Sequence, residues 1–499
     1  MSTKYYPVID LFAGPGGLGE GFSSVKRKNQ CGFKSIVAIE EDEHAHQTLH
    51  LRHFIRDFKG GRIPKAYYEY VAGEITLEQL KKLHPKQWAA AAESALRISL
   101  GKQNHDKVRS LLTGRLKGHD KWVLVGGPPC QAYSLVGRSR RANDPNFEKD
   151  EKHLLYREYL KIIIDHRPPV FVMENVKGLL SAKVAGKPVI KKILADLSRP
   201  KAAISGKSNG LSYRLFSFTE RGELTEEVSP SSFVVRAEEY GVPQARHRML
   251  ILGIRSDLQI EPEILRKKKA PSVMEVLDDL PPIRSGISKE EDNFSTWWEA
   301  VSSVRDESWF RNAFTYRSIP GKNRMPSNRA SREPTRPKAM SSWFVDPRQK
   351  YLSGHEARSH MRSDLHRYLF SSLFAKEWGY SPKLADFPSS ILPKHKNIEA
   401  GRAGKMFSDR FRVQVADRVS TTVTSHISKD GHYFIHYDPR QCRSLTVREA
   451  ARLQTFPDNY HFEGPRTQQY HQVGNAVPPY LAHQIGKIVA DVLDRMGDS

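Results

Sequence analysis

Val8-Ile9-Asp10-Leu11-Phe12-Ala13-Gly14-Pro15-Gly16-Gly17-Leu18-Gly19 is an apolar run that breaks into a glycine turn. The run reads as a buried strand. Glycine lets a backbone turn sharply and approach a ligand closely, and the residues after the turn open a helix. Four further short apolar runs follow: Ser35-Ile36-Val37-Ala38-Ile39-Glu40, Trp122-Val123-Leu124-Val125, Val170-Phe171-Val172-Met173-Glu174 and Met249-Leu250-Ile251-Leu252-Gly253. Strands of this kind, separated by helical segments, predict an α/β fold with a doubly wound, mostly parallel sheet. Residues 78–120 read as helix around Trp88-Ala89-Ala90-Ala91-Ala92-Glu93, and 183–232 as a helix from Ile190 to Leu197 followed by a polar loop. Helices are also expected from Ser444 to Phe456 and from Pro479 to Leu493.

Glu40 ends the second strand, where a carboxylate can accept hydrogen bonds from ribose hydroxyls. Glycine turn and acid together point to an adenosine-containing cofactor. The plainer alternative is a tight structural turn with Glu40 exposed. No Gly-Lys-Ser/Thr follows the glycines, so this is not a P-loop. On these residues alone, NAD and S-adenosylmethionine both remain.

The chain has 499 residues, 38% hydrophobic and 27% charged, a globular composition with room for roughly two to four domains. No run of about 18 apolar residues marks a membrane span, and no apolar leader follows Met1. Cys31, Cys130 and Cys442 are too few and too scattered for a disulfide framework or a CxxC zinc site. They predict a reducing, cytoplasmic location and no metal. The net charge of +23 predicts a polyanionic partner, nucleic acid first. Residues 311–370 concentrate it, with 13 Lys/Arg against 4 Asp/Glu and with Phe314, Tyr316, Trp343 and Tyr351 interleaved. That pattern fits phosphate contacts plus base stacking, or an ordinary solvated face over core aromatics.

Val125-Gly126-Gly127-Pro128-Pro129-Cys130-Gln131-Ala132-Tyr133-Ser134 places a cysteine just past a strand end, on a turn stiffened by two prolines. The carboxyl edge of an open α/β sheet is where ligands bind, which makes Cys130 a candidate nucleophile. Arg138, Arg140 and Arg141 follow in a loop suited to closing over a phosphate backbone.

Gly-Pro-Pro-Cys-Gln after a strand, with Asp-Leu-Phe-Ala-Gly-x-Gly-Gly at the start, resembles the DNA (cytosine-5)-methyltransferase family. Met173-Glu174-Asn175-Val176, Gln244-Ala245-Arg246-His247-Arg248, Arg448 to Pro457, and Gln472-Val473-Gly474-Asn475-Ala476-Val477-Pro478-Pro479 agree in order with its other motifs. The resemblance covers roughly residues 5–77, 121–182, 233–255 and 440–495. It implies a catalytic domain over 1–255, completed by 441–499, with a target-recognition domain inserted at 256–440. Departures are Gly73-Glu74-Ile75 where the family has Gly-Asp-Ile, the long spacing across 78–120, and Tyr133 in place of Phe.

The resemblance implies the chemistry. Cys130 would add to C6 of cytosine, making C5 nucleophilic. Glu174 would hydrogen-bond N3 and the exocyclic amine and supply a proton at N3. Arg246 and Arg248, two apart on a strand, would contact the cytosine O2 and position the cysteine loop. S-adenosylmethionine would be the donor, in a pocket of Phe12, Gly14, Gly16, Gly17 and Pro129. Glu40 would hold its ribose, Glu74 and Ile75 would flank its adenine, and Asn475 and Val477 would close the pocket. The target base must leave the duplex stack, at a cost of a few kcal/mol. The resemblance further implies double-stranded DNA as partner, a monomer, and a modification role paired in function with a restriction endonuclease. Alternatives are an RNA cytosine-5 methyltransferase of the tRNA branch and a catalytically silent DNA-binding regulator. Val477-Pro478-Pro479-Tyr480 superficially matches an amino-methyltransferase motif, but lacks its acidic or amide residue.

Overall fold

The computed structural model describes residues 5–27, 30–58, 61–129, 151–184, 187–207, 210–223, 229–315, 336–394, 398–405 and 408–497. Its centre is an eight-stranded sheet. The strands are β1 (Tyr6–Leu11), β2 (Phe33–Glu40), β3 (Ala95–Arg97), β4 (Val123–Gly126), β5 (Val170–Val176), β6 (Tyr213–Phe216), β7 (Val234–Arg236) and β8 (His247–Arg255). Their order is β6-β8-β5-β4-β1-β2-β3, with β7 paired to β8. Strands β3, β2, β1, β4 and β5 run parallel, and β8 enters antiparallel between β5 and β6.

All six residues of β1 are buried, as a strand covered on both faces requires. Alternation sorts neighbouring side chains between two cores. Val8, Val123, Val125, Val170 and Val172 face one; Ile9, Leu11, Leu124, Phe171 and Met173 face the other. Helices α1 (Gly17–Ser23) and, from the far end of the chain, Pro479–Arg495 cover the first core through Leu18, Phe22, Leu481, Ile485 and Leu493. Helices at His105–Leu116 and Glu151–His166 cover the second through Val108, Leu112, Tyr159 and Ile163. The doubly wound expectation holds, and both chain ends build it.

Two corrections concern segments read as helix or loop. Residues 78–120 contain β3, and the polar loop after Leu197 contains β6. Both strands are short and take their place from neighbours: β3 pairs with β2, and β6 with β8. The extra length before β3 is three short helices, Lys65–Val71, Leu77–Leu83 and Pro85–Ser94, packed on α2 (Glu43–Arg56).

Residues 256–440 carry an apolar cluster of their own around the helix Arg362–Trp378, with Trp297, Phe310, Leu369 and Phe387. Phe314 belongs to that cluster, packed on Trp309 and Phe370, so it is a core residue and not a stacking platform. Tyr316 lies outside the described residues. A further cluster joins Val273, Leu277, Phe344, Val423 and Phe434 to Leu445, Leu453, Tyr470 and Val473. Residues from 256–440 and from the C-terminal stretch after 440 therefore share a core.

Candidate active site

A cleft of about 390 Å³ opens at the carboxyl ends of β1, β2, β4 and β5. That volume falls in the range of pockets for small organic ligands. The turn after β1 forms one wall. Phe12 and Gly14 both take left-handed φ values, 57° each. A side chain at Gly14 would project into open space, so the backbone there is bare to the cleft. Its N–H donates to Glu40 Oε2 at 2.7 Å, while Glu40 Oε1 accepts from the N–H groups of Glu41 and Asp42 at 3.0 and 2.8 Å. Burial pushes the Glu40 carboxyl upward, and these amides oppose the shift.

Gly17 lines the cleft as well, and both it and Gly16 are also fixed by packing. A Cβ on Gly17 would lie 2.3 Å from the Val477 carbonyl oxygen, so only glycine lets α1 sit against the C-terminal segment. Gly16 sits under Leu49 and the Tyr460 hydroxyl and does not line the cleft. Pro129, Asn475 and Val477 do line it. Glu74 and Ile75 do not: Ile75 packs with Leu51, Phe54 and Tyr67 behind α2. The strand that reaches the cleft beside β2 is β3, twenty residues later, and Ile98 and Leu100 after it occupy that wall.

Opposite the glycine turn stands Glu174, near the end of β5. Arg248 Nε lies 3.0 Å from its Oε1, and both side chains are largely buried. Burial raises the Glu174 carboxyl above its ordinary value, and the Arg248 and Arg246 charges resist. A group in that balance holds a proton more readily than a surface glutamate does. A Cβ on Gly127 would come within 2.7 Å of Glu174 Oε2, so the loop leaving β4 presses its backbone against the carboxylate. Asn175 locks the two strand ends together, its Nδ2 donating to the Pro128 carbonyl at 3.0 Å. Cys130 follows Pro129 directly but, with Tyr133, Arg138, Arg140 and Arg141, lies outside the described residues.

Arg246 departs from expectation. It is fully buried, and its guanidinium donates to the carbonyls of Val423 and Gly474 at 2.8 and 3.0 Å. Gln244 does the same work, donating to the Leu453 carbonyl and accepting from Val423 N–H. Of the two arginines, only Arg248 contacts Glu174. β8 begins at His247, so Arg246 lies before the regular alternation and turns toward the C-terminal segment.

Glycine turn, terminal acid of β2 and Glu174, the last paired with Arg248, thus share one cleft. A family model described as C-5 cytosine-specific DNA methylase matches residues 77–199 and 227–490. The chain belongs to this family. It is a DNA (cytosine-5-)-methyltransferase. This methylase is 33% identical to a type II methyltransferase, M.Bpa9945I, of Bacillus paralicheniformis, over 98% of this chain and 99% of the relative. It is 27% identical to the DNA (cytosine-5-)-methyltransferase M.ApeKI of Aeropyrum pernix, over 76% of this chain and 83% of the relative. A crystal structure of a putative prophage-encoded DNA modification methyltransferase from E. coli shares the fold. It aligns with a TM-score of 0.50 at 19% identity, covering 98% and 99% of the two chains.

Behind the cleft, the methylase carries a collar of buried arginines that motif reading placed only by family. Arg452 binds Asp458 through two 2.8 Å contacts and also pairs with Asp279. Arg443 grips Glu449 at 2.6 and 2.7 Å. Arg448 donates to the carbonyls of Ser353, Pro457 and Tyr460. The Tyr460 hydroxyl in turn reaches the Pro15 carbonyl, tying the collar to the glycine turn. The Thr-x-x-Glu capping box at Thr446 and Glu449 was the sequence signal available here. Among the described residues no helix is long and apolar enough to cross a membrane, and no cluster of three metal-ligating side chains occurs.

Proposed function

We propose that this methylase uses S-adenosylmethionine to methylate C5 of a cytosine flipped out of a short, specific duplex sequence, through a transient bond between Cys130 and C6. The supporting observation is that the glycine-turn wall and Glu174, itself paired with Arg248, line one cleft, with Cys130 one residue beyond its Pro129 wall. The cleft fits the donor: bare backbone at Gly14, a carboxylate at Glu40, and apolar walls from Phe12, Ile98 and Leu100. Phe12, Gly14, Glu40, Asn475 and Val477 would hold S-adenosylmethionine, which supplies an electrophilic methyl group when bound.

The residues of the chain divide the remaining work. The Cys130 thiolate forms a bond to C6, and the displaced electron density moves toward N3 and C5. Glu174, kept protonatable by burial, gives its proton at N3 and is held in place by Arg248. C5 takes the methyl group, loss of the C5 proton to a base and elimination of Cys130 as thiolate restore the aromatic ring, and the N3 proton returns to the Glu174 carboxylate. Segments 256–440 and the arginines after Cys130 would read the flanking bases, Arg being suited to bidentate contact with guanine. Arg246 acts by holding the C-terminal segment, not by touching the base. In the cell, the enzyme would act as a cytoplasmic monomer protecting DNA from a partner restriction endonuclease.

The test is incubation with methyl-labelled S-adenosylmethionine and either genomic DNA or total RNA, with Cys130→Ser as control, followed by bisulfite sequencing. Label in DNA at one short motif, lost in Cys130→Ser, is expected. Label confined to RNA, or none with the cofactor still bound, would overturn the proposal.

A further inference from the structure

We infer that a second cavity of this chain grips the phosphate backbone of DNA beyond the target site. The inference rests on duplex DNA being the substrate. The cavity, of about 850 Å³, lies at the start of the helix Pro479–Arg495 and shares no lining residue with the cleft. Its walls carry Lys268, Lys269, Arg336, Trp343 and Tyr480, with Glu275 as the single acid lining it.

Two basic stretches distant in sequence converge there. One is Arg266-Lys267-Lys268-Lys269; the other contains Arg336 and Lys338, from the basic segment of the insert. Their charges are not equally spent. Lys267 pairs with Glu239 at 3.0 Å and Lys338 with Asp278 at 3.4 Å. Lys268 instead donates to the Tyr480 hydroxyl at 2.7 Å and sits over that ring at 5.1 Å. Glu275 is committed to the capping box of Ser272, whose N–H it accepts at 2.7 Å. Among the described residues, Lys268, Lys269 and Arg336 form no ion pair with a carboxylate. Among the described residues the lining is therefore net cationic, with Glu275 the one acid whose charge offsets that of Lys269, and an anion entering it neutralises the remainder.

The wall behind these cations is rigid. Trp343 Nε1 donates to the Thr455 carbonyl at 2.8 Å, and Tyr480 N–H donates to Thr455 Oγ1 at 3.0 Å. Trp343 and Tyr480 meet edge to face at 5.1 Å. Tyr480 follows the cleft residue Val477 by three positions, a span of at most about 11 Å along the chain. One turn of duplex is about 34 Å long, so DNA seated at the cleft reaches well past this distance. The ligand chemistry is a run of phosphodiester groups, and flanking duplex is the source.

The test uses the full chain and its Lys268→Glu/Lys269→Glu variant on mixed-sequence duplexes of about one and about four turns. Fluorescence anisotropy at several salt concentrations gives affinities. The wild type should bind the long duplex at least tenfold tighter than the short one. The variant should lose most of that gain, with a salt slope shallower by about 2, as expected for two lost phosphate contacts. Its affinity for S-adenosylmethionine should be unchanged. Equal losses on both duplexes, or an unaltered slope, would overturn the inference. So would tripolyphosphate competing equally for both lengths, which would mark a free-anion site. Failure of the wild type to label genomic DNA would remove the substrate reading instead, and this inference with it.

Discussion

The cleft and the arginine collar behind it use the same residue types in opposite ways. In the collar, polar groups are saturated: Arg452 is matched by two aspartates, Arg443 by Glu449, and Arg448 by three carbonyls. In the cleft, they are held but not used up. Glu174 has one arginine, and backbone pressed against its second oxygen. Buried charges cost several kcal/mol each to desolvate, so a fold tolerates them where geometry compensates fully or where chemistry needs them reactive. Arg246 and Arg248 show the difference within three residues: the first ends on backbone carbonyls, the second on the carboxylate of the cleft.

Four substitutions test this contrast. Arg452→Ala leaves Asp458 and Asp279 buried beside a lost cation and should cost about 3–5 kcal/mol of stability, read from denaturant midpoints. If the loss is under about 1 kcal/mol, the collar is not structural. Glu174→Gln should leave the melting temperature nearly unchanged and lower the methyl-transfer rate by about a hundredfold. A large stability change with intact rate would reverse the roles of the two regions. In the wild type the rate should fall as pH rises through the raised value of Glu174, because the proposed mechanism uses the protonated acid.

Asp10 sharpens the contrast, being buried in neither role. Burial lifts its carboxyl from 3.8 to about 7, against the pull of Arg56. Between those values the folded state holds a proton that the unfolded chain has released, so stability falls as pH rises. From pH 5 to pH 8 the loss should be about 3 kcal/mol, and Asp10→Asn should flatten that dependence in thermal scans. The smallest effect is expected of Asn175→Ala. It removes the hydrogen bond to the Pro128 carbonyl and the one accepted from Val176 N–H, each worth about 1 kcal/mol, and should lower kcat more than it raises KM.

Much of this was legible before any coordinates. The strands around Val8, Val37, Leu124, Val172 and Ile251 announce themselves because a strand buried on both faces must be apolar throughout. Glu40 and Glu174 are readable because an acid ending such a strand sits at the ligand edge of the sheet. β3 and β6 escaped because three or four residues carry no period, and only pairing with β2 and β8 makes them strands. Glu74 and Ile75 are placed at the cofactor by the resemblance of Gly73-Glu74-Ile75 to a family motif, but two helices, Leu77–Leu83 and Pro85–Ser94, separate them from β3, and Ile98 and Leu100 line the cleft instead.

By itself, then, the sequence determined the doubly wound sheet, the glycine turn, the order of the motifs and the acids Glu40 and Glu174 at the strand ends. These depend on local pattern and on residue chemistry. Only the tertiary structure decided that Gly17 packs against Val477 as well as lining the cleft, that Arg246 ends on the Val423 and Gly474 carbonyls, and that Ile98 and Leu100 line the cleft. It alone brought Lys268 and Arg336 to one cavity. Those outcomes depend on which distant segment arrives beside a residue, and a linear pattern does not encode that contact.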